Sequence, residues 1–461
     1  MVYLSAAVMS VAGGMLVAKN PAAIALVLIA VIGLAGLAAL LSLPPAVVFL
    51  GWLALAPIFA DAAQASALGR AGIWALYIAP AVLLGAVTIA RARSGAIVSL
   101  VDFLPAAYVA YVLASVAVTS TELQANPIGT LRFVFLTVAL GPLLYYFLTI
   151  GPGADLPRKK VLLILIAGAA FQGVLALVEL TTHQNLWGFT AWQESQATTG
   201  GARAVSTFAN PGVLGMFLGV GIVLALAVLT WGGPHSLRRL SLLTLIVGAP
   251  GLLATLTRGP ILATAVAAVL VLVLGHKRLL GVAVIASTVI VLFALWPSIR
   301  ATTLYQKRGA ESTNVRLRSG LQDWSIQLAA QKPIFGWGYG SFDRVKNTTE
   351  LTAAGGISIT YLLETTSHNS YLTILVETGV IGLLLYALPF LILAGLAMVR
   401  ARAPTRDGWI IAGTLASLLV IVLSGVTFDV RFFSFAQVLP WILLAILRGA
   451  TTIAPIPTSQ P

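Results

Sequence analysis

The sequence predicts an all-α polytopic membrane protein, with about 12–14 transmembrane helices and one long outward-facing loop containing an amphipathic helix. Three observations carry that prediction. Of 461 residues, 59% are hydrophobic and only 9% charged, and mean hydropathy is +0.99, so there are too few charged side chains to cover a water-soluble surface. The apolar residues fall into runs close to the ~20 residues a helix needs to cross the hydrocarbon core. The longest polar run, residues 297–371, holds 13 of the 41 Asp, Glu, Lys and Arg residues.

Taken in order, the apolar runs lie near 4–18, 21–42, 44–60, 71–90, 99–119, 130–150, 161–181, 212–231, 238–256, 260–275, 279–296, 371–399, 409–427 and 432–448. The first is short, but its weak basic lead-in and lack of a small-residue cleavage site disfavour a signal peptide. Pro44-Pro45 makes a tight break, and merging or losing one pair of runs leaves twelve spans. The chain divides into N-terminal transmembrane helices (1–150), a second transmembrane region that includes the loop 297–370 (151–450), and a proline-rich tail (451–461) expected to be disordered.

Orientation follows from the cations. With the N-terminus in the cytoplasm, thirteen lie inside: Arg91, Arg93, Arg158, Lys159, Lys160, Arg238, Arg239, Lys277, Arg278, Arg400, Arg402, Arg406 and Arg448. The short outer loops keep six, and the long loop translocates regardless of its charge. The net charge of +13 is thereby explained by topology and anionic headgroups, and no nucleic-acid partner is expected. The absence of cysteine excludes disulfides, thiolate metal sites and cysteine nucleophiles. His183, His235, His276 and His368 are scattered without metal-ligand spacing, and no Walker, Rossmann or Ser-His-Asp pattern is present.

The same topology delivers Arg203, Arg258, Arg318 and His368, from four separate stretches, to one face of the membrane. A single arginine at a helix end more often snorkels to headgroups than binds a substrate. Arg258 stands out because Leu253-Ala254-Thr255-Leu256-Thr257 and Gly259-Pro260 surround it with an almost unbroken apolar run, on the side where positive charge is disfavoured. Within the loop, Leu317, Leu321, Trp324 and Leu328 fall at helical spacing, with packing on the bundle as reasonable as lipid contact. Gly336-Trp337-Gly338-Tyr339-Gly340 has no preceding strand and reads as a flexible turn with aromatic anchors, not a phosphate loop. Glu377 lies inside an apolar run, where a carboxylate is costly unless paired, and Asp429 and Arg431 are expected to pair at the outer surface.

Four stretches together resemble the O-antigen ligase and O-antigen polymerase superfamily, whose members are the WaaL ligases and Wzy polymerases. They are Gly201-Ala202-Arg203-Ala204-Val205-Ser206-Thr207-Phe208-Ala209-Asn210-Pro211, then Leu256-Thr257-Arg258-Gly259, then Arg318 to Trp324 with Lys332 to Gly338, and finally Ser367-His368-Asn369-Ser370-Tyr371 with Glu377 to Gly382. The resemblance runs from about residue 160 to the end of the helices. Ser206 stands where the family often has glycine, Gly212 where asparagine is frequent, and Thr257 where serine is.

The resemblance implies a membrane glycosyltransferase at the periplasmic face of a bacterial cytoplasmic membrane. Its donor would be a glycan on undecaprenyl diphosphate, and its acceptor a saccharide on lipid A-core or on a growing glycan chain. Inversion by direct displacement is implied, with no metal and no cofactor. Arg203 and Arg258 would hold the diphosphate, since guanidinium suits phosphate oxygens and keeps its proton. His368 would be the general base, with His183 a weaker second, because histidine titrates near neutral pH. Arg318, Asn369 and Glu377 would contact substrate or orient the ring, as could Glu364. Three alternatives stay open: a polymerase with the same chemistry, a polysaccharide-pathway transporter or flippase, for which no inverted repeat is visible, and His368 as part of a helix cap with Ser367 and Asn369.

Overall fold

A computed structural model describes residues 42–61, 77–91, 99–119, 127–185, 203–275, 313–348, 367–401 and 408–452. Among the described residues all regular structure is helical. Seven helices are long and apolar enough to cross a membrane, and four shorter apolar ones accompany them. They account for each predicted run except 4–18, 21–42 and 279–296, which lie outside the described residues.

In chain order the first elements are α1 (Pro45–Phe59), α2 (Ala79–Ala90), α3 (Leu100–Thr119) and α4 (Pro127–Thr149). Then come α5 (Arg158–Thr182), α6 (Pro211–Thr230), α7 (His235–Ala254) and α8 (Arg258–Leu274). The loop contributes α9 (Thr313–Gln331) and α10 (Phe342–Thr348). The chain returns through α11 (Ser370–Ala401), α12 (Gly408–Gly425) and α13 (Ser434–Thr452). The last helix absorbs Thr451 and Thr452, which the sequence had assigned to the tail; the rest of the tail lies outside the described residues.

The centre of the bundle is α6, whose glycines let neighbours approach closely. Gly215 faces Thr257 and Pro260 beside α8, Gly219 faces Thr264 of α8 and Val420 of α12, and Gly221 meets Ala169 of α5. In lipid there is no hydrophobic force between helices, so such small-residue contacts are what hold helices together. On the other side of the bundle, Trp441 of α13 lies over Gly141 of α4, and Phe435 of α13 packs edge-on to Phe217 of α6.

Two departures from regular helix position the loop. A π-helical turn over Phe135–Ala139 interrupts α4, and α11 breaks at Gly379, where φ is 65° and ψ −171°. The expected amphipathic helix is α9. Its face of Trp324, Leu328 and Ala329 packs with Phe342, Val345 and Val376, so the loop is seated on the bundle by an apolar cluster. The glycine-rich stretch is not a flexible turn, as its sequence had suggested. Trp337 and Gly338 donate their N–H groups to the carbonyls of Val376 (2.9 Å) and Glu377 (2.7 Å), and Val380 donates to Pro333 (2.8 Å), so the stretch is hydrogen-bonded into the helix break. Gly336, Gly338 and Gly340 have φ of 72°, 101° and 78°. A Cβ at Gly336 or Gly379 would also collide with the opposing backbone.

Candidate functional site

The Arg203 stretch is held from below by buried polar groups of α5. Glu179 accepts from the N–H groups of Val205 and Ser206, both at 2.8 Å. Gln172 accepts from the Ser206 hydroxyl (2.6 Å) and donates to Thr207 (2.8 Å), whose own hydroxyl donates to the Pro57 carbonyl of α1 (2.6 Å). Ser206 has φ 51°, which explains why glycine suits this position; here the hydroxyl–Gln172 bond supports a serine. Above this scaffold the Arg203 guanidinium, half-buried, donates through Nε to the Thr255 carbonyl at 2.9 Å, and Ala204 N–H donates to Ala254 (3.0 Å). The first motif is thus tied to the turn that carries the second.

That turn ends α7 with Leu256 at φ 51° and starts α8 at Arg258, whose side chain is exposed. Arg258 therefore sits at the positive end of a helix, where both charges favour an anion. The segment 427–430 ties three such helix N-termini together. At Gly212 of α6 a Cβ would lie 3.4 Å from the Phe428 ring, and Gly259 of α8 abuts Thr427. Ser370 of α11 donates to the Phe428 carbonyl (3.2 Å) and accepts from Val430 N–H (2.9 Å). From the loop, exposed Arg318 of α9 donates to the Thr427 carbonyl at 3.4 Å.

His368 precedes α11 by two residues, half-buried and with φ 50°. Asn369 caps that helix, its Oδ1 accepting from Tyr371 N–H (3.0 Å) and Leu372 N–H (3.1 Å), with Ser367 bracing the Asn369 backbone. The imidazole takes no part in the cap. Burial pushes its pKa down from 6.5 to about 4, with the Arg318 charge adding to the fall and Asp429 opposing it. The ring is consequently neutral at neutral pH. Asn369 is engaged at the helix end and Glu377 elsewhere, so neither is hydrogen-bonded to the ring. Glu364 lies outside the described residues. His183 is the left-handed residue that ends α5.

Beneath His368 lies a buried charge cluster. Arg431 Nη1 meets Glu377 at 2.8 Å, while its Nη2 and Nε hold both oxygens of Asp429 at 2.8 and 3.0 Å. The expected Asp429–Arg431 pair exists, but it is buried and Glu377 is its third member. Glu377 also accepts from Phe342 N–H of α10 (3.3 Å). The cluster therefore joins the seated loop to the Asp429 charge that acts on His368. Alongside it, Tyr108, Tyr371, Tyr386, Arg431 and Gln437 line a cavity of about 20 Å³, room for a water but not for a saccharide.

Sequence reasoning missed Gln172, and it did not separate Asn369, which caps the helix, from His368, which does not. Gln172 was visible as a polar side chain in the middle of an apolar run, the same signal that marked Glu377.

The helices define a multi-pass membrane protein in which Arg203, Arg258, Arg318 and His368 lie on or next to the helix ends tied together by residues 427–430. Residues 242–387 match the family model of the O-antigen ligases. The matched stretch includes Arg258, Arg318, His368 and Glu377, and its similarity supports the resemblance to the O-antigen ligase and polymerase superfamily. No curated protein matches the chain.

Proposed function

We propose that the protein transfers a glycan from undecaprenyl diphosphate to a saccharide hydroxyl at the periplasmic face of a bacterial cytoplasmic membrane. The observation that carries this reading is the convergence on residues 427–430 of the N-termini of α6, α8 and α11 with Arg318 of the loop, together with the bond that ties Arg203 to the turn leading to Arg258. A diphosphate leaving group needs fixed positive charge that does not reorganise during reaction, and guanidinium forks and helix N-termini supply it.

In this mechanism the diphosphate sits between Arg203 and Arg258. His368 takes the proton of the acceptor hydroxyl, and the freed oxygen attacks the anomeric carbon. The bond from that carbon to the diphosphate breaks, so undecaprenyl diphosphate departs as an anion and the anomeric configuration inverts. A half-buried imidazole under the influence of the Arg318 charge is neutral but a weak base. An anionic donor offsets the Arg318 charge and strengthens that base when substrate is bound.

The test is transfer in vesicles that contain only purified protein, a polyprenyl-diphosphate-linked glycan and an acceptor saccharide. Product with inverted linkage, formed equally in the presence of a chelator, is the expected result. No product with any glycan donor, alongside net movement of the intact lipid between leaflets, would replace this reading with that of a flippase.

A further inference from the structure

The loop segment 333–339 lies at a depth that its place in a polar loop does not suggest. The Tyr111 hydroxyl donates to the carbonyls of Thr378 (2.8 Å) and Phe335 (3.4 Å). Tyr111 is eight residues from the end of α3 and Thr378 eight from the start of α11, so at 1.5 Å per residue both sit about 12 Å down their helices. Tyr339 docks on the other side, with its N–H on Ser115, one turn nearer the end of α3 (3.2 Å), and its hydroxyl on Thr137 in the π turn of α4 (2.9 Å).

Irregular backbone at such depth is tolerated only where its polar groups are satisfied by protein. Much of the segment meets that condition. The N–H groups of Gly336, Trp337, Gly338 and Tyr339 donate to Lys332, Val376, Glu377 and Ser115, and the carbonyls of Pro333, Ile334 and Phe335 accept from Val380, Ile381 and Tyr111. The side chains at the tip point the other way. Ile334 is 53% and Phe335 66% exposed, beside the exposed Val380 and Leu384 of α11, a helix long and apolar enough to cross a membrane. At the mouth of the segment the Lys332 ammonium lies 4.0 Å from the centre of the Trp337 ring.

We propose that residues 333–339 form a re-entrant wedge in the outer leaflet, with Ile334 and Phe335 in contact with phospholipid acyl chains and continuous with the lipid-facing side of α11. The wedge anchors the loop in the bilayer at the point where the loop also holds Glu377 and, through Arg431, the cluster beneath His368. A loop held only at its two ends would be free to shift against the bundle. This one is fixed laterally by lipid contact and by the helix break.

Because the chain has no cysteine, Ile334→Cys and Phe335→Cys can each be made as a single-cysteine protein. Each is labelled with an environment-sensitive fluorophore and reconstituted in phosphatidylethanolamine–phosphatidylglycerol vesicles. Leu384→Cys supplies the membrane reference and Asp323→Cys, on the exposed side of α9, the aqueous one. Both loop labels should be quenched like the Leu384 label by phospholipids with a doxyl group high on the acyl chain, and spared by aqueous iodide. The unlabelled thiols should react slowly with a charged, membrane-impermeant reagent. Iodide quenching and thiol reactivity like those at Asp323 would overturn the wedge. So would protection from both quenchers, which would mean that protein covers the tip. No glycan transfer enters the measurement, so its failure is separate from any failure of the proposed activity.

Discussion

Two groups of arginines in this protein have opposite surroundings. Arg431 and Arg448 are buried against carboxylates, Arg431 with Asp429 and Glu377 near the loop, and Arg448 with Asp102 at the far end of α3, where Tyr145 also donates to Asp102. Arg203, Arg258 and Arg318 are half-buried or exposed, and the bonds that place Arg203 and Arg318 go to backbone carbonyls. A buried arginine with its charge already met by carboxylates can fix architecture but is closed off from a ligand. An arginine that is half-buried or exposed stands where an anion can reach it.

The largest effects should fall on the first group and on stability. Arg431→Met and Arg448→Met each leave buried carboxylates without their cation, which costs ~3–5 kcal/mol. Denaturant unfolding in detergent would show it, and unchanged stability in both variants would remove the contrast. Next, Arg258→Ala should keep its stability yet lose ~3 kcal/mol of transition-state stabilisation, about a hundredfold in rate, with Arg258→Lys restoring only part because the fork geometry is lost. Full turnover in the alanine variant would make Arg258 a headgroup anchor.

A smaller effect tests the scaffold under Arg203. Glu179→Gln keeps the shape but weakens the acceptor for Val205 and Ser206, costing ~1–3 kcal/mol of stability. It should raise KM for the donor with little change in kcat, since it shifts Arg203 and not the base; a fall in kcat at constant KM would contradict that division. The mildest change is one of pH. A folded His368 pKa of about 4, below its ordinary 6.5, means that the unfolded chain binds this proton first as pH falls. The stabilisation is therefore complete above pH 6.5 and is lost as pH drops through 4. Activity that needs the neutral ring should show an acid limb in kcat/KM near the same value. Arg318→Gln removes a cation and should move that limb upward, and a limb that does not move would separate Arg318 from His368.

What the sequence revealed and what it hid have physical causes. The spans were legible because lipid imposes a length and an apolar composition on every crossing helix. The shared side of Arg203, Arg258 and His368 was legible because the count of helices between them fixes sidedness. Glu377 was recognisable as a residue in need of a partner, but not that Arg431 would meet it, since the two are 54 positions apart. The break at Gly379 and the docking of Gly336 were hidden for a related reason. Each glycine alone is compatible with a flexible turn or a helix, and only the backbone pairing between them requires both. That Asn369 caps the helix and His368 does not needed atomic positions, because Ser, Asn and His in a row before a helix all qualify by type.

The most direct test of the account is a pair of variants at neighbouring positions, His368→Ala and Asn369→Ala, each measured for transfer rate with purified donor lipid, donor affinity and thermal stability. Loss of a general base should lower the rate of His368→Ala by ~10²–10⁴ while the donor still binds. Loss of the cap should lower the stability of Asn369→Ala by ~1 kcal/mol and spare most of its turnover. An unchanged rate in His368→Ala, with the rate loss found instead in Asn369→Ala, would contradict the assignment of the base.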